Sequence, residues 1–434
     1  MFKQIFAQTR NRREKSGRAW QNLPVLIVLL IISLGLLSPL YGFSKKKPAK
    51  KFEFDRQIRV WLGARDNLEL HSSGEMIIEC YRTGDRAEIY YTSSKINVSS
   101  DKSGVSIKDN NGTLAMGLSS VVFRPRFPTV YLDYDEKRYR GNIECDANGD
   151  SGSQVRVFNL IDIESYLKGV LPGEIGERTE AEYESVKAQA IAARTYAIWR
   201  LSTQKQDKHL KNSIADQVYL GAGAELPLLS KGVEETEGLT MTSEGQPIAA
   251  YYHAVCGGST APIEKIWDGD KQSHLKGIID GNYCQWAKTF FWNEEFTATQ
   301  LKDNLSGYFG NKGELPKKGF GKIVSIKFEK DHSIGRMAEM KVKTTTDEFK
   351  VTSDQIRWAL KRPSRPGSIL PSTRFNASLR TSKGAITGLE LVGAGNGHGI
   401  GMCQCGAIGR ARDKADYKTI LEIYYHKIDI EKIY

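Results

Sequence analysis

At 434 residues the chain is long enough for two or three domains with a real core, and it carries 62 Lys and Arg against 51 Asp and Glu, a net charge of +11. That excess is local. Residues 1–51 hold eleven cations against the single acid Glu14, a charge of +10, which leaves +1 for everything after. The basic balance therefore flanks one segment and gives no reason to expect a nucleic-acid partner.

In chain order, residues 1–22 are a basic leader. Residues 19–44 are uncharged, and Leu23 to Leu40 is dominated by Leu, Ile and Val. A run of about 18 apolar residues is long enough to cross a bilayer. Residues 23–43 are expected to be a transmembrane anchor or an uncleaved signal, since no clear cleavage site precedes Lys45. With one large domain behind it, the anchor implies a single-pass protein of the cell membrane, N-terminus cytoplasmic and the rest extracytoplasmic. A basic linker, residues 44–55, follows. Six cysteines in an exported region would permit disulfides, and count alone does not separate these from a metal site.

The remainder, residues 56–434, reads as α+β, with β-rich parts around one central buried helix. From 56 to 155, β-type runs at Ile58–Leu62, Met76–Glu79, Glu88–Thr92, Val105–Ile107 and Thr129–Leu132 alternate with turn signals such as Asn111-Gly112, and a further run spans Gln154–Leu160. Residues 156–291 follow as the core of the region. Asp162, with Glu164 and Ser165 behind it, can open a short helix ending near Gly169. The chain then passes through Leu171-Pro-Gly-Glu-Ile-Gly176, which we read as a loop presenting Glu174 between two glycines.

Glu180 to Arg200 lacks Gly and Pro and shows apolar groups on every side, the mark of a helix with almost no solvent face. Lys187 and Arg194 fall on one stripe with Ile191 and Ile198, so these cations either snorkel to an edge or serve a polar cleft. Glu174, rigidly mounted and partly desolvated, has the qualities of a general acid near neutral pH.

Beyond the helix, Ile214–Gly221 reads as a short strand-like run, and two β runs surround Glu244-Gly245. The second ends in Tyr251-Tyr-His-Ala-Val-Cys-Gly-Gly-Ser-Thr260, whose paired glycines can turn backbone amides toward a ligand. Residues 292–380 look like an interposed α/β part with little visible chemistry: helices near Ala298–Ser306 and Ser353–Leu360, strands at Gly321–Glu329 and Arg336–Thr344. The block 381–434 opens on a strand, Ala385–Leu391, continues through the Gly-rich run 395–407, and closes in two helical stretches ending at Tyr424-Tyr425.

Taken together, LPGEIG, ESVKAQAIAARTYA, DQVYLG, YYHAVCGGST and GHGIGMCQCGA followed by ILEIYY stand in an order and wording that resemble the stage II sporulation protein D/LytB family of bacterial cell-wall proteins. The resemblance covers roughly residues 56–434. It implies a peptidoglycan lytic transglycosylase, or a relative that binds wall glycan without cutting it and stimulates an amidase. The implied partners are glycan strands and a cell-wall amidase, and Glu174 matches the family's acid/base. The implied reaction cleaves the bond between N-acetylmuramic acid and N-acetylglucosamine to leave a 1,6-anhydro sugar. Lys187, Gln189, Arg194, Tyr196, Gln217, Tyr219, His253, His398 and Gln404 are the candidate cleft residues.

No cofactor is required for that chemistry. Some relatives carry zinc on Cys and His ligands just before the Gln-Val-Tyr motif, where this chain has Asn212, Ser213 and Ala215. A different set, His253, Cys256, Cys284, His398 and Cys403, has ligand types suited to tetrahedral zinc, with disulfides as the competing use of the same cysteines.

Overall fold

The computed structural model describes residues 52–83, 85–147 and 154–434. The leader, the expected membrane segment 23–43 and most of the linker lie outside the described residues. Among the described residues no helix is long and apolar enough to cross a membrane.

The β-rich part forms two sheets on one apolar core. One has seven strands in the order Leu210–Lys211, Gln57–Arg65, Val155–Asp162, Asn142–Ala147, Ser120–Pro125, Met76–Arg82, Asp85–Thr92. The other has six: Lys137–Tyr139, Leu132–Tyr134, Asn67–Ser72, Ile96–Asp101, Gly104–Asp109, Gly112–Leu118. Alternation puts Ile58, Val60, Ile78 and Phe123 of the first sheet against Leu70, Val98 and Ile107 of the second. The Asn111-Gly112 signal does make a hairpin turn, with the Asp109 carboxylate accepting both amides. The run expected at Thr129–Leu132 is displaced to Leu132–Tyr134, and further strands such as Asn67–Ser72, Ile96–Asp101 and Asn142–Ala147 lie between the expected ones.

Two helices leave the first sheet. Helix α1, Ile163–Glu174, is capped by Asp162, whose Oδ1 accepts the amides of Glu164 at 3.0 Å and Ser165 at 3.4 Å. It runs through Pro172 instead of ending near Gly169, so Glu174 is its last residue and does not sit on a loop. Gly176, at φ +69°, turns the chain away immediately afterwards.

Helix α2, Tyr183–Thr203, is the buried element its composition announced. Its Val186, Ala190, Ala193 and Ala197 pack into the core of the two sheets, while Ala188, Ile191, Ala192 and Tyr196 belong to a second core built from residues 241–290 and 400–425. A helix between two cores needs apolar groups all round, which is why its sequence shows no polar face. Helix α3, Pro227–Glu235, packs beside α1 and α2.

The segment Ile214–Gly221 forms no strand; a single bridge joins Asn212 and Gln217. Glu244 and Gly245, both at positive φ, turn Leu239–Ser243 back onto Gln246–Pro247. A third core then begins. Strand Phe291–Thr297 pairs with Ala385–Ala394, which also pairs with Phe375–Ser382. Between them lie α4 (Ala298–Asn311), a three-stranded sheet of Ile323–Asp331, Arg336–Thr344 and Glu348–Thr352, and α5 (Gln355–Ala359). Helices α6, Gln404–Arg412, and α7, Tyr417–Tyr424, return to the second core.

Arg194 is fully buried in α2 and is not a cleft residue. Its Nε and Nη2 donate to the two carboxylate oxygens of Glu164 in α1 at 2.7 and 2.6 Å, and Nη1 donates to the Leu239 carbonyl at 3.1 Å. Lys187, two turns earlier, pairs with Glu184 and lies over the rings of Tyr183 and Tyr417 at a half-buried edge. Removing one partner of a buried pair strands the other. Arg194→Ala should therefore cost about 3–5 kcal/mol in a urea unfolding series, whereas Lys187→Ala should cost under about 1 kcal/mol.

Candidate functional site

Glu174 points from the end of α1 into a cleft of about 500 Å³. The cleft is walled by residues 214–218, by 251–254, by the Gly-rich stretch at Gly397 and His398, and by Gln404. Gly173 lets α1 come this close, since a Cβ there would lie 3.0 Å from Val218. The Val218 amide donates to Glu174 Oε1 at 2.8 Å, and the Gln404 side chain is a second partner of the carboxylate. Burial raises the Glu174 pKa above its ordinary 4.5, although Val218 and Gln404 pull it the other way.

The other two carboxylates lining the cleft are already engaged. Asp216 accepts Arg200 Nε at 2.9 Å, the Tyr196 hydroxyl at 3.1 Å and the Lys211 amide at 2.8 Å. Asp354 pairs with Arg357 Nη1 at 2.9 Å. Glu174 alone has no cationic partner among the residues that line this cleft.

Aromatic rings form much of the wall. Tyr251 meets Trp267 edge-on with centroids 4.9 Å apart, Trp267 lies 4.9 Å from His398, and Tyr196 packs 5.8 Å from Tyr251. Trp358 adds an exposed indole. Such a surface presents flat apolar faces bordered by polar atoms, suited to a sugar ring.

Burial disfavours the charged form of both histidines. His398 Nε2 lies 3.0 Å from the Tyr252 carbonyl and Nδ1 accepts the Ile400 amide at 3.0 Å, and burial lowers its pKa to about 4. His253 Nδ1 lies 3.1 Å from the Ile400 carbonyl, and burial again leads in holding its pKa well below the ordinary value. Gly397, at φ +119°, lets the two loops meet, because a Cβ there would lie 2.6 Å from that of His253.

Of the expected cleft residues, Tyr196, His253, His398 and Gln404 line it with Glu174. Gln189 and Gln217 lie just behind it. Gln189 Oε1 accepts from Gln404 at 3.4 Å, and Gln217 holds the hydroxyls of Tyr166 and Tyr252 at 3.1 and 2.9 Å. Burial, and after it the nearby charge of Glu174, opposes the ionisation of both tyrosines. Tyr219 is elsewhere: its hydroxyl donates to Asn159 at 2.8 Å under the first sheet, and it is a packing residue. Lys187 and Arg194 are structural, as described above.

The interposed part, where no chemistry was anticipated, brings Asp354, Arg357, Trp358 and Ile369 to the cleft. Trp358 beside Arg357 on a short helix was the available signal. The proposed metal candidates also separate: Cys256, Cys284 and Cys403 come together with Asp280, which sequence reading missed, while His253 and His398 face the cleft instead.

A family model described as stage II sporulation protein matches residues 151–242, the stretch that carries Glu174, α2 and Val218. An uncharacterized protein of Brachyspira hyodysenteriae is 33% identical over 276 residues, 63% of this chain and 68% of its own length. The chain belongs to the stage II sporulation protein D/LytB family. A second model, a domain of unknown function, covers residues 282–401 and so most of the interposed part. The amidase enhancer of Bacillus subtilis is 28% identical over 60% of this chain, and the match spans 39% of that relative's length. Stage II sporulation protein D of Bacillus amyloliquefaciens is 22% identical over 63% of this chain and 75% of its own. Membership supports a role related to the cell wall.

A carboxylate whose pKa is raised by folding stabilises the native state below its unfolded pKa and loses that contribution as pH rises through the folded pKa. Glu174→Gln should therefore be more stable than the parent at neutral pH. The difference should shrink as pH falls through the raised value and vanish below the ordinary 4.5, measured as thermal midpoints across pH.

Proposed function

We propose that this protein is a peptidoglycan lytic transglycosylase, cleaving the bond between N-acetylmuramic acid and N-acetylglucosamine with Glu174 as its one acid/base. What carries this reading is a single desolvated carboxylate in an aromatic cleft whose other two carboxylates are both tied up by cations. Protonated Glu174 gives its proton to the glycosidic oxygen as the bond to the muramic C1 breaks and oxocarbenium character develops there. The resulting carboxylate then takes the proton of the muramic 6-hydroxyl as that oxygen bonds to C1. The products are a free 4-hydroxyl on the leaving sugar and a 1,6-anhydro ring. Because the nucleophile belongs to the substrate, no second carboxylate is needed.

The Val218 amide and Gln404 fix the orientation of the carboxylate through both proton transfers. We place this chemistry outside the cytoplasm, on a protein held in the membrane through residues 23–43. The likeness to a protein named amidase enhancer favours a second reading: a wall-glycan-binding protein that activates an amidase without cutting glycan itself.

The full chain incubated with sacculi separates the two. The transglycosylase releases 1,6-anhydro products, and Glu174→Gln lowers that release by at least about 100-fold, the worth of a general acid. Activity of the parent declines on the alkaline side as Glu174 loses its proton, at a pH above the ordinary carboxylate range. Undiminished release by Glu174→Gln removes the mechanism. Sedimentation with sacculi without glycan products, together with a faster amidase, supports the second reading.

A further inference from the structure

Some 24 to 28 residues beyond Cys256 along the chain come Asp280 and Cys284, and Cys403 lies 147 residues away, yet their ligand atoms all fall within 4.8 Å of one another in the buried second core. Cys256 Sγ is 3.4 Å from Cys284 Sγ and 3.2 Å from Asp280 Oδ2. A tetrahedral zinc with bonds of about 2.3 Å to sulfur has sulfur–sulfur edges of roughly 3.8 Å, within the span of this cluster.

The surroundings suit anionic sulfur. Cys403 Sγ accepts the amides of Cys256 at 3.2 Å and Gly406 at 3.3 Å. Asp280 is oriented as an outer partner would orient a metal ligand: its Oδ1 accepts Arg410 Nη2 at 2.7 Å and the Tyr424 hydroxyl at 2.8 Å, leaving Oδ2 toward the sulfurs.

Charge supplies an independent argument. Arg336 is fully buried, donates Nη2 to the Cys256 carbonyl at 3.0 Å, and among the described residues has no partner for Nε and Nη1 and no carboxylate at ion-pair distance, Asp354 acting on it only at longer range. A guanidinium so placed requires a negative neighbour. Three thiolates and a carboxylate around a divalent cation carry a net charge of −2 and provide it. A disulfide between Cys256 and Cys284 would be neutral, and would leave Cys403 accepting two amides for no purpose.

We propose that Cys256, Asp280, Cys284 and Cys403 bind one zinc ion as a closed tetrahedral structural site. All four positions are occupied by protein, so the ion has no open position for substrate. It would join the loop after His253, the 280–284 turn and the start of α6, where Gln404 follows Cys403 directly and reaches Glu174. The assignment does not depend on the glycan reaction.

The full chain, purified without added chelator or metal, should contain one zinc per chain by elemental analysis. Cobalt exchanged into it should show the intense sulfur-to-metal charge-transfer absorption of a tetrahedral thiolate site. Cys403→Ser and Cys284→Ser should each lose zinc; if either fails to fold, the metal content and cobalt spectrum of the unmutated chain still decide. Metal-free protein that takes up no zinc on titration overturns the proposal, as does a Cys256–Cys284 disulfide seen by mass spectrometry, or stoichiometric iron in place of zinc.

Discussion

A guanidinium in the middle of α2, shut off from water, is tolerable only because Glu164 of α1 meets it with both carboxylate oxygens. That pair fixes the two helices in register, and α1 ends at Glu174. The same Glu164 also accepts the hydroxyl of the C-terminal Tyr434, and Arg194 reaches the Leu239 carbonyl at the start of the strand beside it. The placement of the acid thus depends on an ion pair far from the cleft, with both cores and the chain end gathered round it.

Around Glu174 the chain separates two uses of charge. Asp216 and Asp354 are paired with arginines and work as scaffolding for the wall. Glu174 is held by an amide and a neutral side chain, which orient it without supplying the positive charge that would keep it ionised. The two histidines serve as hydrogen-bonding struts between the loops at 252 and 400.

Much of this was legible in the residues. The buried helix could be read from periodicity, Glu174 and four residues that line the cleft with it stand in the motifs that carry the family resemblance, and Asp162 and Asn111-Gly112 behaved as their turn chemistry requires. What could not be read depends on long-range contacts. The stripe on α2 joins Lys187 and Arg194 in sequence, but only the position of α1 decides that one of them meets a buried Glu164 and the other an edge. Tyr219 looks like its cleft neighbours in the motif, yet faces Asn159 instead. Pro172 forfeits one backbone hydrogen bond to the preceding turn, yet the helix continues through it to Glu174. The adjacent Arg357 and Trp358 are a local signal, but their place in the cleft follows from where the interposed part folds back.

Phe291 pairs directly with Ala394, so the interposed part leaves and re-enters the second core at adjacent points. Its own apolar core runs from Trp292 to Leu391. Once it has folded, the hundred or so residues between act as a short bridge, and the entropy of closing the long loop between Tyr252-His253 and Met402-Cys403 falls accordingly. During synthesis from the N-terminus, Glu174 and α2 emerge well before Gln404 and α6. The acid is therefore made early and framed late: a nascent chain carries the carboxylate, but the cleft that orients it closes only when the last segment arrives.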